Sequence, residues 1–299
     1  MYNKEEYIEK TLRSVLSQTM ETFEVIIVND GSTDDSIKKV EQFQDSRIQL
    51  IHIVKSGVSK ARNTAIKNAK YSWIAFLDAD DWWAPTFLEE ILTTIKQFPN
   101  YKVFATGRSL VYKNRKQRYK HSYLPVDGTL GTVNYYEIIG HYLLPPINSS
   151  CAVIDKKLLE ESGMFNENQK FHEDHDLWMR ICNKELIAYN NKNLTFYRKE
   201  QKKARLYPFE DFMLYLQTLV DLKKESSYQN KKWLLQYTNK FIPLTFFKFY
   251  SDYSGEDKSS ILNTSRSLLN PINLLLLKML SLLPFNLYHT FKALKINGS

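Results

Sequence analysis

Trp73-Ile74-Ala75-Phe76-Leu77-Asp78-Ala79-Asp80-Asp81 is a mostly apolar run that breaks abruptly into acid. Five apolar residues bounded by charge predict a buried parallel strand over 73–77, because a strand covered on both faces reads as a continuous apolar run. In extended chain the side chains at i and i+2 point the same way, so Asp78 and Asp80 are expected to converge just past the strand's end. Ligands of open α/β sheets bind in the crevice outside the carboxyl ends of the strands. Two carboxylates there are well placed to hold a hard divalent cation on a diphosphate. A solvated acidic turn that caps the next helix, over 85–98, accounts for the same residues without a ligand.

Outward from that junction, strand and helix patterns alternate. A helix is predicted over 5–18, with Ile8, Leu12, Val15 and Leu16 at three-to-four spacing; a strand over 24–28 ends in Asn29-Asp30-Gly31-Ser32-Thr33-Asp34. Helices over 35–43, 59–69 and 85–98 and strands over 48–54 and 102–112 continue the alternation, which implies βαβ crossovers and a mostly parallel sheet. No Gly-x-Gly-x-x-Gly follows a strand and no Gly-Lys-Ser/Thr loop is present, which argues against a dinucleotide-type site and against a P-loop. Phosphates would instead be held through a metal on the 78–81 cluster. Asp30, at the end of another parallel strand, can accept a hydrogen from a base or ribose. The alternative for its segment is turn and N-cap chemistry.

With 299 residues and 43% hydrophobic content, the chain can bury a full core. Two cysteines, Cys151 and Cys182, are too few for a disulfide framework and lack zinc-type spacing; buried reduced thiols in a cytoplasmic protein are expected. No apolar signal region opens the sequence, and no stretch reaches the roughly 20 apolar residues that a membrane-spanning helix needs. Residues 201–299 carry 14 Lys+Arg against 7 Asp+Glu, so nearly all of the net charge of +8 lies there. The same region holds an apolar run from Ile272 to Leu283, and apolar surface beside basic residues suits an anionic membrane face. Peripheral membrane contact through 272–295 and a helix packed on the main domain are the two expectations for it. No nucleic-acid motif is present, and nucleic acid is not an expected partner.

Several ordered segments together resemble the family 2 glycosyltransferases. They are Tyr2-Asn3, Ser14-Val15-Leu16-Ser17-Gln18-Thr19, Val28-Asn29-Asp30-Gly31-Ser32-Thr33-Asp34, Gly57-Val58-Ser59-Lys60-Ala61-Arg62-Asn63 and Leu77-Asp78-Ala79-Asp80-Asp81. Asn148-Ser149-Ser150, Gly163-Met164-Phe165-Asn166-Glu167 and Glu173-Asp174-His175-Asp176-Leu177-Trp178-Met179-Arg180 resemble the family's acceptor-side segments. The likeness covers about residues 1–200. It implies an A-type glycosyltransferase fold: an α/β, Rossmann-like, mostly parallel sheet flanked by helices, with a helical C-terminal region. The expected division is a nucleotide-sugar-binding half over 1–110, an acceptor-binding catalytic half over 111–200, and a helical region over 201–299.

The resemblance assigns roles position by position. Tyr2 would stack on the donor's base, Asp30 would accept from the base, and Arg62 would contact the base or a phosphate, unless it is simply an exposed residue of its basic helix. Asp78 would reach the ribose, and Asp80 would hold Mn²⁺ or Mg²⁺. Asp174 maps to the base, which takes the acceptor hydroxyl's proton in an inverting displacement. Its alternative is the acidic first turn of a helix over 173–183. His172 and His175 do not have His-Glu-x-x-His spacing, so zinc is not expected. The implied reaction moves a sugar from a nucleotide diphosphate donor, expected to be UDP-linked, to a saccharide or lipid-linked acceptor in bacterial cell-surface polysaccharide synthesis at the cytoplasmic side of the membrane. A non-catalytic nucleotide-sugar binder is the alternative, and a nucleotidyltransferase is a weaker one.

Two departures from the pattern stand out. Family members carry an apolar strand just before the Tyr-Asn, which here would precede Met1; a start about ten residues upstream, enough for one strand, or a decayed copy is expected. Relatives place a metal-assisting histidine shortly after Tyr197-Arg198, where this chain offers Glu200.

Overall fold

The computed structural model describes residues 1–199 and 207–282, which fall into two compact units. The first comprises the described residues within 1–138 and 144–203, and the second those within 139–143 and 204–299. Glu200, the stand-in considered for the metal-assisting histidine, lies outside the described residues.

The chain opens with α1 (Ile8–Leu16), β1 (Val25–Asp30), α2 (Ser36–Glu41), β2 (Ile48–Ile53), α3 (Val58–Asn68), β3 (Trp73–Ala75), β4 (Trp82–Trp83), α4 (Phe87–Gln97) and β5 (Val103–Val111). Then come β6 (Lys116–Arg118), β7 (Leu130–Val133), α5 (Tyr135–Tyr142), β8 (Ala152–Asp155), α6 (Lys156–Glu161), α7 (Glu173–Cys182) and β9 (Ile187–Arg198). The α/β class with flanking helices is as expected, but the sheet structure is mixed rather than mostly parallel. β1 and β2 pair in parallel as a sheet of two, along which Met1 also bonds: its amino group donates to Val28 O and Asp30 N donates to Met1 O at 2.8 Å. A second sheet runs β3-β8-β5-β9-β4, with β6 on β5 and β7 on β9. Among the described residues, β5–β9 is its one parallel pairing. The physical reason lies after β5. β6 returns through a short hairpin, closed by Tyr112 N donating to Arg115 O at 2.8 Å, and hairpin neighbours are antiparallel by construction.

The amphipathic pattern of α1 places it between two apolar clusters. Ile8 and Leu12 join Ile27 and Val40 on one side; Val15 joins Trp83, Phe87, Phe104 and Val153 on the other. Trp83 and Phe87 stack at 4.1 Å between ring centroids with planes 7° apart, pinning α4 to the short β4 that follows the acidic loop. The β5–β9 ladder shifts register around Gly107, where a Cβ would meet Lys192 O at 2.7 Å; only glycine fits that approach.

The second unit is helical: α8 (Phe209–Glu225), α9 (Tyr228–Lys248), α10 (Gly255–Ser265) and α11 (Pro271–Ser281). Tyr215 and Tyr237 share a buried hydroxyl–hydroxyl bond of 2.9 Å between α8 and α9. α11 starts where the sequence instructs: the Asn270 side chain accepts from Asn273 N, and Pro271 takes a first-turn position. Of its residues Leu277 is buried, whereas Ile272, Leu275, Leu276 and Met279 are exposed. The rest of the expected membrane-contact segment, 283–295, lies outside the described residues. No helix among the described residues is long and apolar enough to cross a membrane.

Phe87 is fully buried at the centre of the first unit's core, so Phe87→Ala is expected to lower stability by about 3–5 kcal/mol, read from the urea midpoint at unchanged slope.

Candidate active site

The acidic junction is a turn, not extended chain. The β3–β8 ladder pairs Trp73, Ile74 and Ala75, Phe76 N adds a last bond to Ala152 O at 3.2 Å, and Asp81 N then donates back to Asp78 O at 2.9 Å. The expected convergence of Asp78 and Asp80 on a shared ion is therefore replaced by separate partners. Arg62 Nη2 donates to Asp78 Oδ1 at 2.8 Å, and Lys4 Nζ bonds Asp80 Oδ2. Burial pushes the Asp78 carboxyl up, but the Arg62 guanidinium, Lys4 and the Met1 amino group outweigh it and hold Asp78 below the usual carboxylate range.

Asp81, which sequence reading left without a role, is wholly buried and anchors the turn. Its Oδ1 accepts from Arg198 N at 2.8 Å and its Oδ2 from the Ser150 hydroxyl, which also accepts from Asp78 N at 3.1 Å. Arg198 Nε donates to Asp80 O at 3.1 Å. Burial, reinforced by the Asp78 charge, pushes the Asp81 carboxyl up to about 8, so it serves near neutrality as a largely protonated peg.

Arg62 is the bridge of the site. Besides Asp78 it reaches Glu173 Oε1 through Nη1 at 3.1 Å, joining the turn to the first residue of α7. The next residue is Asp174, whose Oδ1 accepts from His175 N at 2.8 Å. α7 begins abruptly at His172, in the left-handed region at φ 58°, and sets Glu173, Asp174 and Asp176 in its first turn, where the helix dipole favours acids. The charges of Asp78, Asp81, Asp174 and Asp80 all bear on the Tyr197 phenol, which burial chiefly, aided by those carboxylates, holds above its ordinary pKa. Tyr197 thus marks the point around which the acidic turn and α7 converge. The simpler view of Arg62 as an exposed helix residue does not hold, since its side chain is 13% exposed.

Asp30 is buried, and its two oxygens accept from Ser56 N at 2.6 Å and Gly57 N at 2.9 Å, fixing the loop that leads into α3. Tyr2 is exposed; Lys55 Nζ donates to its hydroxyl at 2.7 Å and lies 4.1 Å from its ring centroid. The charges of Asp78, Asp30, Arg62 and Lys4 all reach the Met1 amino group, so this pair borders the carboxylate turn. Sequence reading passed over Lys4, Asp81, Ser150, Glu173, Tyr197 and Arg198 as individual site residues. Asp81, Ser150, Glu173, Tyr197 and Arg198 lie inside segments it singled out, whereas nothing in the sequence connects Lys4 to a carboxylate 76 positions away.

For a divalent ion, the donor chemistry is suitable but incomplete. Among the described residues no group of three or more Asp, Glu, His or Cys side chains forms a metal cage. Asp80 offers a hard carboxylate, 16% exposed, and magnesium-type sites commonly join one or two such carboxylates to substrate phosphates. These residues fit a metal shared with a diphosphate, not one held by protein alone.

An acidic turn at the strand ends of a mixed α/β sheet, faced by carboxylates at a helix start, is the site that fold comparison must account for. Crystal structures of S. aureus TarS share the fold: TarS 1–349 aligns at TM-score 0.71 and 18% identity over 100% of this chain and 90% of that one. The same fragment in complex with UDP-GlcNAc aligns at 0.67 and 20% identity, over 88% and 77%. The sequence profile of glycosyl transferase family 2 matches residues 1–163, and the chain belongs to that family. It is 33% identical over 204 residues to the Escherichia coli UDP-Glc:alpha-D-GlcNAc-diphosphoundecaprenol beta-1,3-glucosyltransferase WfaP, covering 66% of this chain and 74% of that one. Putative teichuronic acid biosynthesis glycosyltransferase TuaG of Bacillus subtilis (strain 168) is 32% identical over 202 residues, 66% of this chain and 75% of that one. Putative glycosyltransferase EpsH of the same organism is 43% identical over 96 residues, and the match spans 28% of its length.

Burial first, then the neighbouring Asp174, pushes the Glu173 carboxyl up to about 7 against the pull of Arg62. The folded chain therefore keeps this proton while the unfolded chain loses it, and stability falls as pH rises from the ordinary glutamate value near 4.5 to about 7. Glu173→Gln keeps an acceptor for Arg62 without the charge. It should match the wild type in stability near pH 4.5 and exceed it at pH 8 by on the order of 1–3 kcal/mol in denaturant titrations.

Proposed function

We propose that this glycosyltransferase moves a sugar from a UDP-linked donor onto a lipid-linked saccharide of a cell-surface polysaccharide, in one inverting step. The observation that supports this reading is the Arg62 bridge, which ties Asp78 of the turn to Glu173, the chain neighbour of Asp174. A hydroxyl of the acceptor attacks the anomeric carbon as the bond to the diphosphate oxygen breaks; the leaving group takes the electron pair, and Asp174 takes the hydroxyl's proton. A single displacement of this kind inverts the anomeric centre and needs no covalent enzyme intermediate.

Tyr2 would pack against the base and Asp30, with Ser56 and Gly57 held in place, would accept from it; Asp78 would face the ribose. Asp80 would hold Mn²⁺ or Mg²⁺ together with the diphosphate, and that ion would supply charge neutralisation for the leaving group. The E. coli relative named for a UDP-Glc donor and a diphosphoundecaprenol-linked acceptor, and the TarS complex with UDP-GlcNAc, support the choice of nucleotide and acceptor class. α11 supports work at the cytoplasmic membrane face: Ile272, Leu275, Leu276 and Met279 form one exposed stripe at helical spacing.

With UDP-glucose and UDP-GlcNAc as donors and a lipid-diphosphate-linked GlcNAc as acceptor, Asp174→Asn is expected to lower turnover about 10²- to 10⁴-fold, with UDP affinity unchanged. Product anomeric configuration, read by proton NMR, should be inverted. Retained turnover in Asp174→Asn, or a retained configuration, would sink the assignment. Partition into vesicles containing anionic phospholipid should drop more than about tenfold when Ile272, Leu275 and Met279 are all replaced by Ser, since each buried apolar side chain contributes roughly 1.5–3 kcal/mol.

A further inference from the structure

Lys4 follows the Tyr2-Asn3 pair, and its position is fixed at both ends of the residue. Its N–H donates to Ser36 Oγ at 2.7 Å, and its carbonyl accepts from Tyr7 N and Ile8 N, both at 2.9 Å, as the first acceptor of α1. From there the side chain runs inward to Asp80 Oδ2, with the ammonium 22% exposed and the carboxylate 16% exposed. Its charge also reaches Asp78 and the Met1 amino group. The ammonium therefore occupies one of the two oxygens that Asp80 would offer a metal, and its charge opposes a cation at either.

We propose that Lys4 is the resident counter-cation of Asp80: it keeps a lone divalent ion off the carboxylate, and it yields only when the ion arrives with a nucleoside diphosphate whose oxygens take over the ammonium. The proposal rests on the donor-site reading and adds an order of events to it. A metal alone must break a charge-assisted hydrogen bond and leave the ammonium in a partly buried place without its partner. A metal bound to a diphosphate brings the replacement partner with it. Arg198, at the end of β9 with its Nε bonded to Asp80 O at 3.1 Å, is a second cation bordering the turn.

The test is a titration with Mn²⁺, free ion followed by electron paramagnetic resonance, on the full chain with and without UDP. The wild type is expected to bind Mn²⁺ weakly alone and more tightly with UDP. Lys4→Met should bind Mn²⁺ alone about tenfold or more tighter and gain correspondingly less from UDP. Lys4→Arg, which keeps the charge, should behave as the wild type, and Asp80→Asn should lose the UDP-enhanced binding. The backbone bonds of Lys4 survive these changes, and unchanged thermal midpoints check that each variant is folded. Equal affinity of Lys4→Met and wild type for Mn²⁺ alone overturns the proposal, as does equal tightening in Lys4→Met and Lys4→Arg. UDP that binds none of the proteins counts against the donor-site reading instead, and the comparison with Mn²⁺ alone still decides the role of Lys4.

Discussion

A buried guanidinium with two carboxylates is the constraint on which the first unit's chemistry depends. Arg62 cannot be neutralised, and withdrawing it from water is tolerable only because Asp78 and Glu173 surround it. Those two acids come from opposite ends of the catalytic region, one on the turn after β3 and the other at the start of α7. Packing alone would allow these elements to slide. The fork of Arg62 demands bonds at 2.8 and 3.1 Å in two directions at once, and so fixes α3, the turn and α7 against one another.

Around that bridge, the four carboxyl groups that bear on Tyr197 are kept from repelling one another in three ways. Asp78 is paired with Arg62 and Asp80 with Lys4. Asp81 escapes the conflict by holding its proton, which lets it act as a hydrogen-bonded peg between Ser150 and Arg198. Asp174 keeps a place apart in the first turn of α7, where its Oδ1 accepts from His175 N. The result is an acidic site in which each carboxylate has its own environment and hence a distinct task.

Much of this fold can be read from the chain because the apolar periodicities are local. Ile8, Leu12 and Val15 dictate one helix face, and the strands at 24–28 and 48–54 announce themselves by composition. What periodicity does not carry is pairing. The direction of β8 and β9, and with it the mixed sheet, is set by pairings between strands far apart in the chain, from Val103 with Ile154 to Trp82 with Phe196. The site divides along the same line. Asp78, Asp80 and Asp174 are marked by their segments, but the extended geometry expected of Asp78 and Asp80 gives way to a turn, closed by Asp81 N donating to Asp78 O at 2.9 Å, that strand periodicity does not foretell. Lys4 and Asp81 gain their significance only from partners distant in sequence, namely Asp80 for the one and Ser150 and Arg198 for the other.

The distribution of charge supports the proposed pairing of a diphosphate with a divalent ion. The Arg62 guanidinium is already committed to two acids and the Lys4 ammonium to a third. A diphosphate entering alone would add negative charge to a site whose ionised carboxylates have spent these cations, and a divalent ion entering alone would have to displace one of them. Entering as a pair, the two nearly cancel, and the ammonium of Lys4 exchanges one oxygen anion for another without passing through water. On the proposed reading, selectivity for a charge-balanced ligand follows from the cations already paired with these carboxylates, before any contact with the sugar is made.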